Sequence, residues 1–479
     1  MLGWWSKQTR LGLLLVLLPV LYEWHQTKET REVLLGRLAT SWSSVRPPQK
    51  VVRRVAVGVN ANLDLIVSAT QLLETLGLSP GQPVDHTHLG TAEELQEQVA
   101  YSMQHCAGTE RVFSTSSEFQ RIVNAAYQLP HTHFIGGNAA LMAAKIQQTQ
   151  PNTEVMLAGP IGATLRSLLQ PHIHTPTFTP ESRDEVHLIM EYPKGERWGG
   201  ITSTCANRVI ISHDVSNAKM VALEDFRQTL SSFKPDLVIL SGAHLMQGET
   251  SDFKRKRLVD VARLLDDVPA TTPVHSELAT IGDLDYLRDL AETTFPRIDS
   301  LGLNEQELVS LAKSSGADFD FAHMPAKPNI SLVSDLLHWL IQTHSSLGRE
   351  KSRLTRVHFH TLSFHVIATV MRPPHWANSK SAVLAGARIA GLQACDVEHF
   401  EAGKFELQVP LDFTLSVTDG VMSQHFVSLT PESGVVSWER GGVAYVFTPV
   451  LVCRAPSKTV GLGDAISSMG LLYSQFSRQ

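Results

Sequence analysis

The stretch "SKTVGLGDAIS", Ser457–Ser467, lies almost at the end of a 479-residue chain. On its N-terminal side, "YVFTPVLVC" (Tyr445–Cys453) is rich in valine and aromatic residues and reads as a buried strand. On its C-terminal side, "AISSMGLLYSQF" (Ala465–Phe476) places apolar residues at helical spacing. Gly461 and Gly463 between them allow a tight backbone turn that a Cβ would obstruct. The first N–H groups of the helix then point outward unpaired, with the positive end of the helix dipole behind them, and form an anion site. Asp464, at the mouth of that site, is itself an anion. The conflict disappears if Asp464 is a base that takes a proton while the N–H groups hold a phosphoryl group. The plainer alternative is a loop capped by Asp464, since aspartate is a favoured N-cap. The rest of the chain decides between them.

Composition narrows the class. Hydrophobic residues make up 43% of the chain, enough for a sizeable core in one large domain or two to three ordinary ones. A net charge of −6 gives no sign of a nucleic-acid surface. The histidines are scattered without zinc-site spacing. Four cysteines, Cys106, Cys205, Cys395 and Cys453, allow at most two bridges and are not a disulfide framework. At the N-terminus, "LGLLLVLLPVLY" (Leu11–Tyr22) follows Lys7 and Arg10. A spanning helix needs roughly 20 apolar residues, so this shorter run fits a secretory signal segment over residues 1–22, either cleaved or kept as an anchor. Entry to the secretory pathway follows, with residence in the endoplasmic reticulum (lumen or membrane-anchored) or secretion as the expected outcome. Membrane contact is expected only through this segment. A buried N-terminal helix is the alternative.

Residues 23–50 read as a short helix and linker, and the folded body begins with "VVRRVAVGVN" (Val51–Asn60) and "ANLDLIV". Further strands are expected at His133–Gly137, Glu154–Pro160, Glu185–Tyr192, Asn207–Asp214, Pro235–Gly242, Thr272–Leu278, Asp299–Glu305 and Arg356–Leu362. Helical patterns such as "NAALMAAKIQQ", "LEDFRQTLSSF" and "AVLAGARIAGLQAC" fall between several of them. Apolar strands alternating with helices predict an α/β fold, a doubly wound sheet with helices on both faces. "HLIMEY" and "RVIISHD" lack an intervening helix and fit a smaller antiparallel unit. Functional groups in such sheets collect at the carboxyl ends of the strands. Asn60 and Asp64, Gly137 and Asn138, Glu277, Asn304 and Glu307, and Asp464 all fall at such ends. Each alone has a routine explanation as a cap or turn residue; five strand ends together are harder to dismiss.

The set "NANLD", "GGNAAL", "HSE", "GLNEQE", "VHFHTL" and "TVGLGDAIS", in this order over Val51–Gln479, closely resembles the ADP-dependent glucokinase family, whose fold is ribokinase-like. The resemblance implies transfer of the β-phosphoryl group of ADP to the 6-hydroxyl of D-glucose, giving AMP and glucose 6-phosphate, with magnesium. It places Asp464 as the general base and the N–H groups from Gly461 through Gly463 to Asp464 around the phosphoryl group. Glu277, Glu307 and Asp464 take the magnesium-associated positions. Arg208 in "CANRVI" resembles the phosphate-clamping arginine, and His360 in "FHTL" falls near the nucleotide. Asn60, Asp64, Gly137 and Asn138 would receive the sugar, and Glu110 in "GTERVF" resembles the glucose-selecting glutamate. The kinase domain would span 51–479, with a smaller α/β lid inserted from about 65–132 and 161–214. A monomer is expected. The choice of ADP over ATP rests on the resemblance alone. ADP-dependent phosphofructokinase is the nearest alternative, against which Glu110 counts. A catalytically silent sugar-binding protein of the secretory pathway is the other, against which the intact Asp464, Glu277, Glu307 and Arg208 count. If one disulfide forms, Cys395 with Cys453 is the expected pair; two buried thiols are the alternative.

Overall fold

In the computed structural model, residues 31–179, 182–321, 324, 328–416, 424–429, 434–456 and 460–478 are described. The strands Leu237–Leu240, Ser300–Leu303 and Arg356–His360 are buried on both faces, as strands inside a sheet covered on both sides are. They belong to a ten-stranded sheet. Its order is Val436–Arg440, Val443–Pro449, Phe364–Val370, Arg356–His360, Ser300–Leu303, Val274–Glu277, Leu237–Leu240, Arg54–Gly58, Glu154–Ala158 and Ile173–His174. From Arg356–His360 to Ile173–His174 all neighbours run parallel, and the other three strands are antiparallel.

The sheet is covered on both faces. Val55 and Val57 pack into one apolar cluster with helix Asn138–Thr149 and the end of helix Leu462–Leu472. Ala56, between them, joins the opposite cluster with helices Leu223–Phe233, Ser251–Asp267, Leu284–Thr294 and Ile330–His344. This alternation is the period of two that a strand imposes. A second sheet of five strands has the order Thr109–Val112, Asn207–Ser212, Val186–Tyr192, Asn62–Ser68 and Thr132–Gly136. It has its own core, built with helices Ala92–His105 and Ser116–Ala126. Asn207–Ser212 pairs antiparallel with Val186–Tyr192, as the absence of a helix between them suggested.

Two local expectations change. Phe364–Val370, a fully buried strand, goes unread in the sequence because it follows Arg356–His360 through a three-residue turn. "YVFTPVLVC" is also not one strand: Val443–Pro449 ends at the proline, and Val452–Cys453 pairs separately with Phe405–Glu406. A proline offers no N–H to continue a ladder. Both cysteine pairs are bonded, Cys395 to Cys453 with Cα atoms 5.4 Å apart and Cys106 to Cys205 at 5.5 Å. The first is the expected pair; the second was not anticipated.

The expectations of a membrane anchor and of residence in the endoplasmic reticulum are corrected. No helix among the described residues is long and apolar enough to cross a membrane. The segment 1–22, on which both expectations rested, lies outside the described residues. Neither expectation is kept.

Candidate active site

The last helix begins at Leu462, three residues earlier than its apolar pattern suggests, and Gly461 occupies the N-cap with φ +65°. Few residues other than glycine adopt that conformation without strain. Asp464 is therefore inside the first helical turn and does not cap it. Its side chain is buried, and burial followed by the charge of Glu277 pushes its pKa up to about 7. Asn138 Nδ2 donates to Asp464 Oδ1 at 3.0 Å. The orientation of Asn138 is itself fixed, because its Oδ1 accepts from Asn60 Nδ2 at 3.4 Å while Asn60 Oδ1 accepts from the Ala139 N–H at 3.0 Å. Asn60 and Asn138, expected at the sugar, thus also aim Asp464. Asn138 thus holds one carboxylate oxygen of Asp464 in place.

A second group lies on the neighbouring strand ends. Glu277 is buried, with Oε2 3.0 Å from His275 Nε2 and Oε1 3.1 Å from His360 Nε2. Burial works against its charge, but the two hydrogen bonds outweigh it and hold the carboxyl well below its usual range. His360, expected beside the nucleotide, is buried and bonded to Glu277. Glu307 closes a capping box on helix Glu305–Ser314: its Oε2 accepts from the Asn304 N–H at 2.7 Å and its Oε1 from Asn304 Nδ2 at 2.9 Å. Burial, then the nearby charges of Glu277, Glu305 and Asp464, raise its pKa well above the carboxylate range.

The expected metal set does not converge as a ligand cage. Among the described residues no group of three or more His, Cys, Asp or Glu side chains could hold a metal ion. Each oxygen of Glu277 and Glu307 takes one hydrogen bond here and keeps a further lone pair. The donor chemistry still fits a hard divalent cation. Three buried carboxyls crowd one another here, and a cation that keeps its waters and uses few carboxylates directly would relieve that repulsion.

The remaining predicted residues lie where the two sheets meet. Asp64 is buried on Asn62–Ser68, accepts from Asn62 Nδ2 at 2.7 Å, and has its pKa pushed up to about 6 by burial. Gly137 sits at φ +83°, and a Cβ on it would stand 2.8 Å from Ala61 Cα, so the backbone approaches closely there. Glu110 is exposed on the edge strand Thr109–Val112, and Arg208 lies on the adjacent Asn207–Ser212. Both act electrostatically on Asp64. Arg208 also lines a cavity of about 830 Å³ shared with Ser68, Thr132, Glu191 and Pro456, the last a few residues before the Gly461 turn.

Several site residues escaped the sequence reading. His187 is the cross-strand partner of Asp64, and its Nε2 lies 3.2 Å from Asp214 Oδ2. Asn217 grips Ala61 from both sides, accepting from its N–H at 3.1 Å and donating to its carbonyl at 2.9 Å. Gly302 makes room for Glu277, since a Cβ there would fall 1.9 Å from Oε2. "GLN" opening the "GLNEQE" motif offered a signal for Gly302. Nothing local marked Asn217.

Strand-end carboxylates, a glycine turn at a helix N-terminus and a doubly wound sheet define a phosphotransferase of the ribokinase-like class. The chain belongs to the family described as ADP-specific Phosphofructokinase/Glucokinase conserved region, which matches residues 53–473. It is 43% identical over 445 residues to the ADP-dependent glucokinase of Bos taurus, covering 92% of this chain and 88% of that one. It is 35% identical to the probable ADP-dependent glucokinase of Caenorhabditis elegans, covering 91% and 88%. In fold it is similar to a hypothetical ADP-dependent phosphofructokinase from Pyrococcus horikoshii, with TM-score 0.64, 14% identity, and 89% and 98% of the two chains covered. A divalent-metal-assisted mechanism comes with the family.

Proposed function

We infer that the chain phosphorylates D-glucose at the 6-hydroxyl with ADP as donor, giving glucose 6-phosphate and AMP. The two relatives matching nine-tenths of the chain carry glucokinase names, whereas an ADP-specific phosphofructokinase of Methanosarcina acetivorans is 23% identical over 61% of the chain. The observation that carries the mechanism is Asp464, a buried carboxyl with a pKa near 7, aimed by Asn138 and set in the first turn of a helix. Its carboxylate takes the proton of the 6-hydroxyl as the hydroxyl oxygen attacks the β-phosphorus in line. AMP leaves from the opposite side. The N–H groups from Gly461 to Asp464 receive the charge on the transferred group. Arg208 supplies a fork of donors to the phosphates, a role its shared cavity with Pro456 supports.

Glu277, Glu307 and Asp464 would hold magnesium, some of these contacts through water, and the ion would supply neutralisation of phosphate charge. Asp64, Asn60, Gly137, Asn138 and Glu110 surround the sugar. The smaller unit, inserted from about 65–132 and 161–214, closes as a lid that keeps water from the reacting phosphate. The test is a coupled assay with ADP or ATP as donor and glucose or fructose 6-phosphate as acceptor. Turnover should require ADP and glucose together; preference for fructose 6-phosphate, or no turnover, would sink the reading.

A further inference from the structure

Three neighbouring strands place His275, Ser300 and Arg356 as direct cross-strand partners on one face of the large sheet. Glu277 follows His275 on the same face, and Gly302 follows Ser300. The polar atoms connect in one direction. Arg356 Nη1 donates to Ser300 Oγ at 2.7 Å. With that oxygen accepting, the serine hydroxyl hydrogen is free to donate to His275 Nδ1, 2.9 Å away. His275 then carries its proton on Nε2 and donates to Glu277 Oε2 at 3.0 Å. This order gives every member a partner; with the neutral ring protonated on Nδ1 instead, the bare Nε2 lone pair of His275 would face the Glu277 carboxylate.

Arg356 is an unusual end to such a chain. It is fully buried, and among the described residues no carboxylate touches its guanidinium. Its other contacts are the Gly470 carbonyl of the catalytic helix, at 3.3 Å from Nη2, and the Trp376 ring, 5.3 Å away. A buried cation without a direct counter-ion is costly unless something compensates it. Glu277, at the far end of the hydrogen-bonded chain, is the acidic group that acts on Arg356 electrostatically and partly offsets the burial that pulls its pKa down to about 9.

We propose that Arg356 is a positioning residue for phosphoryl transfer, fixing through Ser300 and His275 the orientation of the Glu277 carboxylate and tying it to the catalytic helix at Gly470. This rests on the reading of Glu277 as a metal-associated group. With one oxygen fixed by His275 and the other by His360, the remaining lone pairs of Glu277 face a cation or its waters in a set geometry. Outer partners of this kind are worth about 10–100-fold in metal affinity.

Arg356→Met would empty a buried site and confound the result with folding, so the test uses Ser300→Ala, which removes one oxygen and keeps both charges. Mn2+ binding is read by electron paramagnetic resonance in the presence of ADP without glucose, beside turnover as a function of magnesium. The expected result is Mn2+ affinity about tenfold weaker, glucose binding unchanged, and turnover restored by excess magnesium. Glu277→Gln is measured in parallel. If it weakens Mn2+ binding while Ser300→Ala stays within about twofold of wild type, the relay is wrong although the reading of Glu277 stands. If Glu277→Gln itself leaves Mn2+ binding unchanged, the relay falls together with that reading.

Discussion

Asp464 combines two properties that pull against each other: it is an anion placed at a site built for anions, and it is buried. The protein resolves the conflict by raising its pKa to about 7, so that near neutrality the group can exist in either form. The base must be deprotonated, so kcat/KM should fall as pH drops below about 7 and level off above it. A flat profile between about pH 5.5 and 8 would exclude Asp464 as the titrating base. The same shift acts oppositely on stability. The folded chain keeps a proton that the unfolded chain has already released, so this group's contribution declines as pH rises from about 4 to about 7. Asp464→Asn preserves shape but cannot accept a proton. Turnover should drop by about two orders of magnitude or more, with glucose binding by calorimetry largely retained; near-normal turnover would remove the assignment.

At the scale of the element, Glu307 has two duties that one substitution can separate. It caps helix Glu305–Ser314 together with Asn304, and it belongs to the carboxylate group near Asp464. Asn304→Ala should lower stability by about 0.5–2 kcal/mol, the scale of a lost cap. Glu307→Gln keeps an acceptor for Asn304 and should instead shift the magnesium dependence of turnover to higher concentration. Superimposable magnesium titrations for wild type and Glu307→Gln would make Glu307 purely structural. The bridge between Cys395, at the end of helix Ser379–Ala394, and Cys453 ties that helix to the strand leading into the catalytic turn. Replacing both cysteines by serine should cost about 2–4 kcal/mol in chemical unfolding. A midpoint unchanged at constant denaturant sensitivity would show that the bridge adds nothing.

For the whole molecule, the chain passes between the two sheets four times: through Val59–Ala61, at Gly137, between Ile173–His174 and Val186–Tyr192, and after Ser212; Asn217 stitches the last crossing to the first. Residues on both sides of this junction face the sugar in the proposed complex, so binding should draw the units together. Small-angle scattering should show a smaller radius of gyration with glucose and ADP than without them. Identical profiles would count against closure.

The parallel sheet, the glycine turn and Asp464 were legible in the chain before it folds. Apolar runs alternating with helical patterns and ending in polar groups are local signals, and local signals survive in one dimension. The sequence also marked Glu277, Asn304 and Glu307, because strand ends and capping boxes have short-range patterns. It could not tell that Asp464 stands inside the helix rather than capping it, since the turn conformation of Gly461 moves the helix start by three residues. The packed fold alone reveals that His360 bonds Glu277, that Gly302 yields space to its carboxylate, and that Asn60 and Asn138 orient Asp464. Those roles depend on which strands lie side by side. Residues 25 to more than 300 positions apart meet there through the sheet order, which no spacing along the chain records.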